Sequence, residues 1–173
     1  MDLPSLSAKD VAFADLEREL AVTRTVLERL PEEHYGWKAH EKSMSLGDLA
    51  SHVANLVEWM RVTIAQDELD AATAPPPKGV KDKAELLARF DGYAAALRLA
   101  VARFDMADYG REWTMRRGEQ VMVVRPRPLV YRVWCINHLI HHRGQLCVYL
   151  RLLNVPVPTV YFNTADDPTW VFA

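Results

Sequence analysis

Apolar residues recur three and four positions apart over four stretches of the chain, which is the spacing of one face of an α-helix. Ser45 and Asp82 precede two of these stretches and can cap helices there, and Pro31 ends the first stretch. Pro126 and Pro128 suit the first turn of the last stretch, because proline has no N–H to leave unpaired. The pattern predicts four helices, over about residues 7–30, 45–66, 82–104 and 127–153.

The segments between these helices predict a hairpin and a loop. Residues 112–115 and 120–124 flank Arg116-Arg117-Gly118-Glu119, a sequence typical of a β-hairpin turn. Residues 67–81, which contain three consecutive prolines, predict a loop long enough to cross an end of a bundle. We therefore expect an all-α fold, a four-helix bundle with a short β-hairpin between the third and fourth helices, formed by residues 1–173 as one domain.

Composition narrows the class of protein further. The chain is 50% hydrophobic and 25% charged, which is ordinary for a globular protein. A net charge of −2 gives no electrostatic footprint for nucleic acid, and no block of basic residues suggests an anionic membrane. No apolar run approaches the roughly 18 residues of a membrane helix, and the N-terminus lacks a signal-peptide layout. We expect a cytoplasmic protein whose partner is a small molecule or a second copy of the chain.

Three histidines stand where the apolar stripes otherwise carry leucine, phenylalanine and tryptophan. His138 and His142 are four residues apart and share one helical face, and His52 lies on the stripe of the second helix. A buried imidazole costs about 1–3 kcal/mol unless a partner satisfies it. One divalent metal would satisfy all three and keep a coordination position open. If the second and fourth helices are antiparallel, the heights of the three residues match.

Neighbouring residues allow several interpretations. Gln145 lies one turn beyond His142 and could orient a bound water or substrate, or be a core amide bonded to the backbone. Cys135 lies on the same face and could be a fourth ligand or reactive thiol, although a small buried core residue is the better interpretation. His141 points to the flank of the face, so we expect it to pack beside the site rather than to bind metal.

Other polar residues receive structural interpretations. Arg143 points away from the site, and we expect it, like Arg151, to be a solvated or interface arginine. Asp48 lies one turn before His52 and is read as a helix-start charge. Cys135 and Cys147 are twelve residues apart in one predicted helix, about 18 Å along its axis, so they cannot form a disulfide with each other.

The segment from Trp134 to Leu153 resembles the last helix of the DinB/YfiT-like metalloenzyme superfamily, and its DinB branch most closely. The resemblance rests on Asn137-His138, His141-His142-Arg143-Gly144-Gln145 and Tyr149-Leu150-Arg151. It extends over nearly the whole chain through the segment from His40 to Leu46 that leads into His52, and through Pro156-Val157-Pro158, Tyr161 and Ala165-Asp166-Asp167.

This resemblance implies a divalent metal held by one histidine of the second helix and two of the fourth, which here are His52, His138 and His142. It also implies a homodimer, and a superfamily that includes S-transferases and isomerases using low-molecular-weight thiols. We expect a metal-dependent hydrolase or thiol S-transferase, with zinc as the default metal and nickel, manganese or iron as alternatives. The alternative hypotheses are a non-catalytic metal-binding protein of a stress response, and histidines that bind no metal.

Overall fold

A computed structural model of the chain describes residues 5–74 and 79–168. Residues 75–78 of the predicted loop, which include the three prolines, lie outside the described part. The helices are α1 (Ala8–Ala12), α2 (Leu16–Arg29), α3 (Leu46–Ala65), α4 (Lys83–Arg103), α5 (Arg127–Leu129) and α6 (Asn137–Leu152). A π-helical segment, Val130–Ile136, joins α5 to α6, and single 3-10 turns lie at Glu32–His34 and Met106–Asp108. The strands are β1 (Glu68–Asp70), β2 (Glu112–Arg117) and β3 (Gln120–Pro126).

The predicted starts of α3 and α4 are confirmed by their caps. The Ser45 hydroxyl accepts a hydrogen bond from the Asp48 backbone N–H at 3.1 Å, and the Asp82 carboxylate accepts one from the Glu85 N–H at 2.7 Å. These bonds satisfy N–H groups that a helix leaves unpaired in its first turn. They fix where α3 begins, and therefore how far along the helix His52 lies.

The prediction of one unbroken first helix is wrong, because the chain turns between α1 and α2. The Leu16 N–H donates to the Phe13 carbonyl at 3.1 Å, a bond spanning three residues instead of four. The turn directs the Phe13 ring into an aromatic cluster, with ring centroids 6.5 Å from Phe104, 5.7 Å from Tyr109 and 5.1 Å from Tyr131. Burial of Phe13 thus outweighs the helical continuity that its local sequence favours.

Helices α3 and α4 run parallel, which explains the long connection between them. Near their starts, the Val80 N–H donates to the Ser51 hydroxyl at 3.0 Å. Near their ends, Ile64 and Leu99 line the same cavity. A connection between parallel helices must return along the helix, so it does more than cross one end of the bundle.

The other helix pairs are set by contacts between named side chains. On α2 and α4, Arg98 bonds Glu17 at 2.8 Å and Arg24 bonds Asp91 at 2.7 Å, so these two helices are antiparallel. Helix α6 runs antiparallel to α3, the arrangement in which the histidine heights match, and Thr63 lies 3.5 Å from Cys135 at the far end of the contact. The apolar core lies between the four long helical segments.

The predicted two-stranded hairpin is instead part of a three-stranded sheet. Strands β2 and β3 pair antiparallel with a bulge at Met115/Arg116, and β1 adds to β2 in parallel. Arg116 holds β1 in place by bonding Asp70 at 2.6 Å and Glu68 at 3.0 Å. The fold is therefore mostly helical with a small sheet, rather than a plain all-α four-helix bundle. Three residues of β1 are too few to show the alternation that predicts a strand.

No helix in the described ranges is long and apolar enough to cross a membrane.

Removing the cap of α3 should destabilise the protein. We expect Ser45→Ala to lower the free energy of unfolding by about 1 kcal/mol, because the Asp48 N–H loses its partner at the start of a packed helix. Ser7→Ala is the matched control, since Ser7 caps the five-residue α1 in the same way, bonding the Asp10 N–H at 3.2 Å. Urea denaturation should show a clearly smaller loss for Ser7→Ala. Equal losses of unfolding free energy in the two variants would contradict the conclusion that α3 contributes more than α1 to the stability of the fold.

Candidate metal centre

Three imidazoles meet on the seam between α3 and α6. The Nε2 atom of His138 lies 3.3 Å from that of His52 and 2.9 Å from that of His142. The ring centroids of His52 and His142 are 4.5 Å apart. One ligand atom from each residue falls within 4.8 Å of the other two. The structure therefore brings together the three histidines that the sequence singles out.

The rings occupy the solvent edge of this seam. All three histidines are half-buried, whereas Leu49 and Leu56 of α3 and Leu139 of α6 are buried in the core beside them. The apolar contacts hold the two helices together without help from the imidazoles. One side of the cluster remains open to water.

Burial keeps the three rings neutral. Burial, followed by the proximity of His142 and His138, lowers the pKa of His52 to about 4. Burial also lowers the pKa of His138 and of His142, against the raising effect of their hydrogen bonds to the Trp134 backbone and to Gln145. Neutral imidazole is the form that binds metals.

Hydrogen bonds orient the two rings of α6. The Nδ1–H of His142 donates to Gln145 Oε1 at 2.7 Å, which leaves a lone pair on its Nε2. The ring of His138 bonds the Trp134 backbone, and since its Nε2 faces the other histidines, Nδ1 makes this bond. The two Nε2 atoms lie 2.9 Å apart, so one cation could contact both.

The distances between the nitrogens match those around a divalent ion. With nitrogens at about 2.0–2.1 Å from zinc, neighbouring ligands are about 2.9 Å apart at a right angle and about 3.3 Å apart at the tetrahedral angle. The two measured separations are 2.9 and 3.3 Å. The group could therefore hold a divalent metal without rearrangement of the helices.

Sequence reasoning missed the π-helical segment just before these ligands. Over Val130–Ile136 the helix widens, and the Asn137 N–H donates to the Arg132 carbonyl five residues back. A π-helical turn inserts a residue relative to an α-helix, so it rotates the following side chains around the helix axis. It therefore sets the direction of His138 relative to the buried Tyr131 and Cys135. No local sequence pattern predicts this widening of the helix.

The structure also places His141, Gln145 and Cys135, the residues that the sequence puts next to the site. His141 is exposed and lies outside the three-histidine group, beside the site as expected, with its ring 4.8 Å from that of His142. Gln145 is exposed rather than a core amide, and it bonds His142. Cys135 is buried, contacts Thr63 and is absent from the group, so it is a packed thiol.

The expectation of a solvated Arg143 is wrong. Its side chain is 1% exposed and bonds the Glu19 carboxylate at 2.6 Å, the Thr23 hydroxyl at 3.1 Å and the Tyr161 hydroxyl at 2.8 Å. It points away from the histidines as predicted, but that side of α6 packs against α2 instead of meeting water. The partners come from distant parts of the chain, and spacing alone does not reveal them.

Two other polar residues match their predicted roles. Arg151 is exposed and bonds Asp166 at 2.5 Å. Asp48 is exposed, and its carboxylate accepts from the Ser45 hydroxyl at 2.7 Å, so it belongs to the helix start.

Fold and site together define a mostly helical protein with a three-histidine group suited to a divalent metal. The chain belongs to the DinB family, whose sequence profile matches residues 7–170. A comparison with curated proteins finds no match.

Solved structures of DinB-like proteins share the fold. One from Bacillus subtilis superposes with a TM-score of 0.68 at 18% identity, covering 87% of this chain and 96% of that one. Another, from Bacillus cereus, superposes with a TM-score of 0.67 at 20% identity, covering 87% of this chain and 95% of that one. Identities this low establish the common architecture alone.

The Cys135 thiol should resist modification in the folded protein. Burial raises its pKa to about 12, so at pH 8 only about one thiol in ten thousand is ionised. We expect a colorimetric thiol reagent to modify at most Cys147 in native protein, and both cysteines in urea. Native Cys147→Ala should therefore show no fast reaction, and an immediate reaction of that variant would contradict the buried position of Cys135.

Proposed function

We propose that this protein is a metalloenzyme that binds one divalent cation through the Nε2 atoms of His52, His138 and His142 and acts on a small molecule. The observation that carries this proposal is the convergence of three neutral imidazoles at metal-ligand spacing. Zinc is the first candidate metal, and nickel, manganese and iron are alternatives because imidazole binds all of them.

The half-exposed position of the cluster favours catalysis over a purely structural ion. Structural zinc sites are closed by four protein ligands, whereas catalytic sites use three and leave a position for water or substrate. Here the group contains three ligands, all half-buried. The apolar core beside the cluster packs the helices together by itself, so a bound metal would add little to the stability of the fold.

The chemistry expected of such a site is the activation of a coordinated thiol or water. A divalent ion on three neutral imidazoles supplies Lewis acidity that lowers the pKa of a coordinated group. A thiol, with an ordinary pKa of about 8.5, needs a much smaller shift than water at about 15.7. We therefore place transfer of a low-molecular-weight thiol first and hydrolysis second.

Side chains along the seam offer contacts for the organic part of a substrate. Asn55 lies one turn from His52, and its buried Nδ2 has no hydrogen-bond partner within the described residues. Trp59 is two turns from His52, and Trp134 is one turn before His138. Because α3 and α6 are antiparallel, the two tryptophans lie toward the same end of the cluster. They would form an apolar wall for the substrate.

The remaining expectations concern assembly and location. The family resemblance implies a homodimer, and Val133, Val148 and Leu152 on the last helix are 40–57% exposed apolar residues that a second copy could cover. We place the protein in the cytoplasm, where low-molecular-weight thiols are kept reduced.

Loss of one histidine should abolish metal binding. Untagged wild-type protein should carry about one divalent ion per chain by elemental analysis, and His52→Ala or His138→Ala should carry almost none, because two imidazoles remain. His34→Ala is the matched control, since His34 is exposed and outside the group. Metal-free wild-type protein from repeated preparations would refute the proposal.

A screen of low-molecular-weight thiols against electrophilic partners, with and without metal, tests the enzymatic part. Metal-dependent turnover that His138→Ala abolishes while the fold remains intact by circular dichroism would support catalysis. A severe drop in melting temperature for His138→Ala, with no activity in thiol-transfer and hydrolysis screens of the wild type, would favour the non-catalytic metal-binding alternative.

Gln145 should support metal binding through His142. We expect Gln145→Ala to raise the metal Kd about tenfold, because the His142 ring loses the acceptor that fixes its tautomer. Gln145→Glu keeps an acceptor oxygen and should change the Kd much less. His141→Ala is the control on the neighbouring exposed histidine. Competition with a metal indicator measures all four proteins, and an unchanged Kd for Gln145→Ala would rule out this role.

A further inference from the structure

The buried Arg143 network lies on the side of α6 that faces α2, beside the buried side chains of Leu139 and Leu146. Arg143 and Glu19 are 1% and 3% exposed. The guanidinium donates to the Glu19 carboxylate, the Glu19 backbone carbonyl at 3.3 Å and the Thr23 hydroxyl, all on α2. It also donates to the Tyr161 hydroxyl, which in turn donates to Glu19 at 2.9 Å. Each of these hydrogen bonds has a preferred direction, and the partners come from two separate parts of the chain, α2 and the segment that contains Tyr161.

This network follows directly after a site ligand. Arg143 is the next residue after His142, and its side chain leaves the helix about 100° away from the imidazole. Helix α6 is therefore held both by apolar packing and, next to it, by charged hydrogen bonds to α2. Apolar contacts have no directional preference, whereas the hydrogen bonds of Nη1 to Glu19 and Thr23 and of Nη2 to Tyr161 do. The rotation of α6 about its own axis thus depends on Arg143.

Metal ligation is sensitive to this rotation. An atom at the outer radius of a helix, about 5–6 Å from the axis, moves about 1 Å when the helix turns by about 10°. Metal–nitrogen bonds tolerate errors of only about 0.2 Å. His138 and His142 would move together relative to His52, which is fixed on α3.

We propose that Arg143 is a positioning residue, which acts through Glu19, Thr23 and Tyr161 to hold the rotation of α6 at which His138 and His142 meet His52. The inference rests on the proposed function, because it concerns the ability of the same three histidines to bind one ion. It adds a requirement that lies outside the site: without the network the ligands are present but misaligned.

The decisive variant is Glu19→Leu with Arg143→Met, which replaces the buried ion pair by apolar side chains of similar size. Such replacements preserve or raise stability, because they remove the desolvation of two charges. We expect this double variant to unfold at a temperature close to that of the wild type. Its Kd for Co²⁺ should nevertheless rise about tenfold, and the visible absorption bands of the bound Co²⁺ should shift, because the angles between the ligands change. Arg143→Lys keeps the charge without the fork and should give an intermediate Kd and a smaller spectral shift.

Arg98→Met is the matched control. Arg98 also bonds a glutamate of α2, Glu17, through two of its nitrogens, but it lies on α4 and is exposed. Its loss should leave the Co²⁺ spectrum and Kd unchanged. A folded double variant with wild-type Kd and spectrum would overturn the positioning role while leaving the proposed function intact. Wild-type protein that binds no Co²⁺ would defeat the proposed function itself and this inference with it.

Discussion

The contact between α3 and α6 is the constraint on which the rest of the structure depends. His52 comes from one helix and His138 from the other, 86 residues later in the chain, so the cluster exists only while these helices pack. Buried residues such as Leu56 and Leu139 supply the packing, and a fully buried leucine stabilises by about 1.5–3 kcal/mol. The histidines contribute little to that free energy, which leaves their lone pairs available to a ligand.

Different side chains of helix α6 have two different roles: the histidines form the candidate site, and Arg143 orients the helix. Toward α3 it presents apolar side chains and, at their solvent edge, the imidazoles. Toward α2 it presents Arg143, whose buried pairing with Glu19 brings little net stability because both charges lose their water. Such a pair instead fixes the orientation of α6. A site built from short coordination bonds depends on that orientation more than on additional stability. The C-terminal segment joins this arrangement through Tyr161.

The chemical state of the three imidazoles also suits the binding of a cation. Burial lowers the pKa of all three rings, which favours the neutral form that binds metals. A cation bound only by the folded protein would stabilise it by mass action.

Local sequence determined the helical segments, the caps at Ser45 and Asp82, and the three histidines, because helical spacing and capping act over four residues or fewer and because an imidazole on an apolar stripe stands out. Tertiary structure alone decided the turn at Phe13, the strand β1, the π-helical widening before His138 and the burial of Arg143. The turn at Phe13, the strand β1 and the burial of Arg143 depend on partners far away in the chain, such as Tyr131 for Phe13 and Glu19 for Arg143. A local pattern carries no information about such partners, since the free energy of the contact appears only when the helices pack.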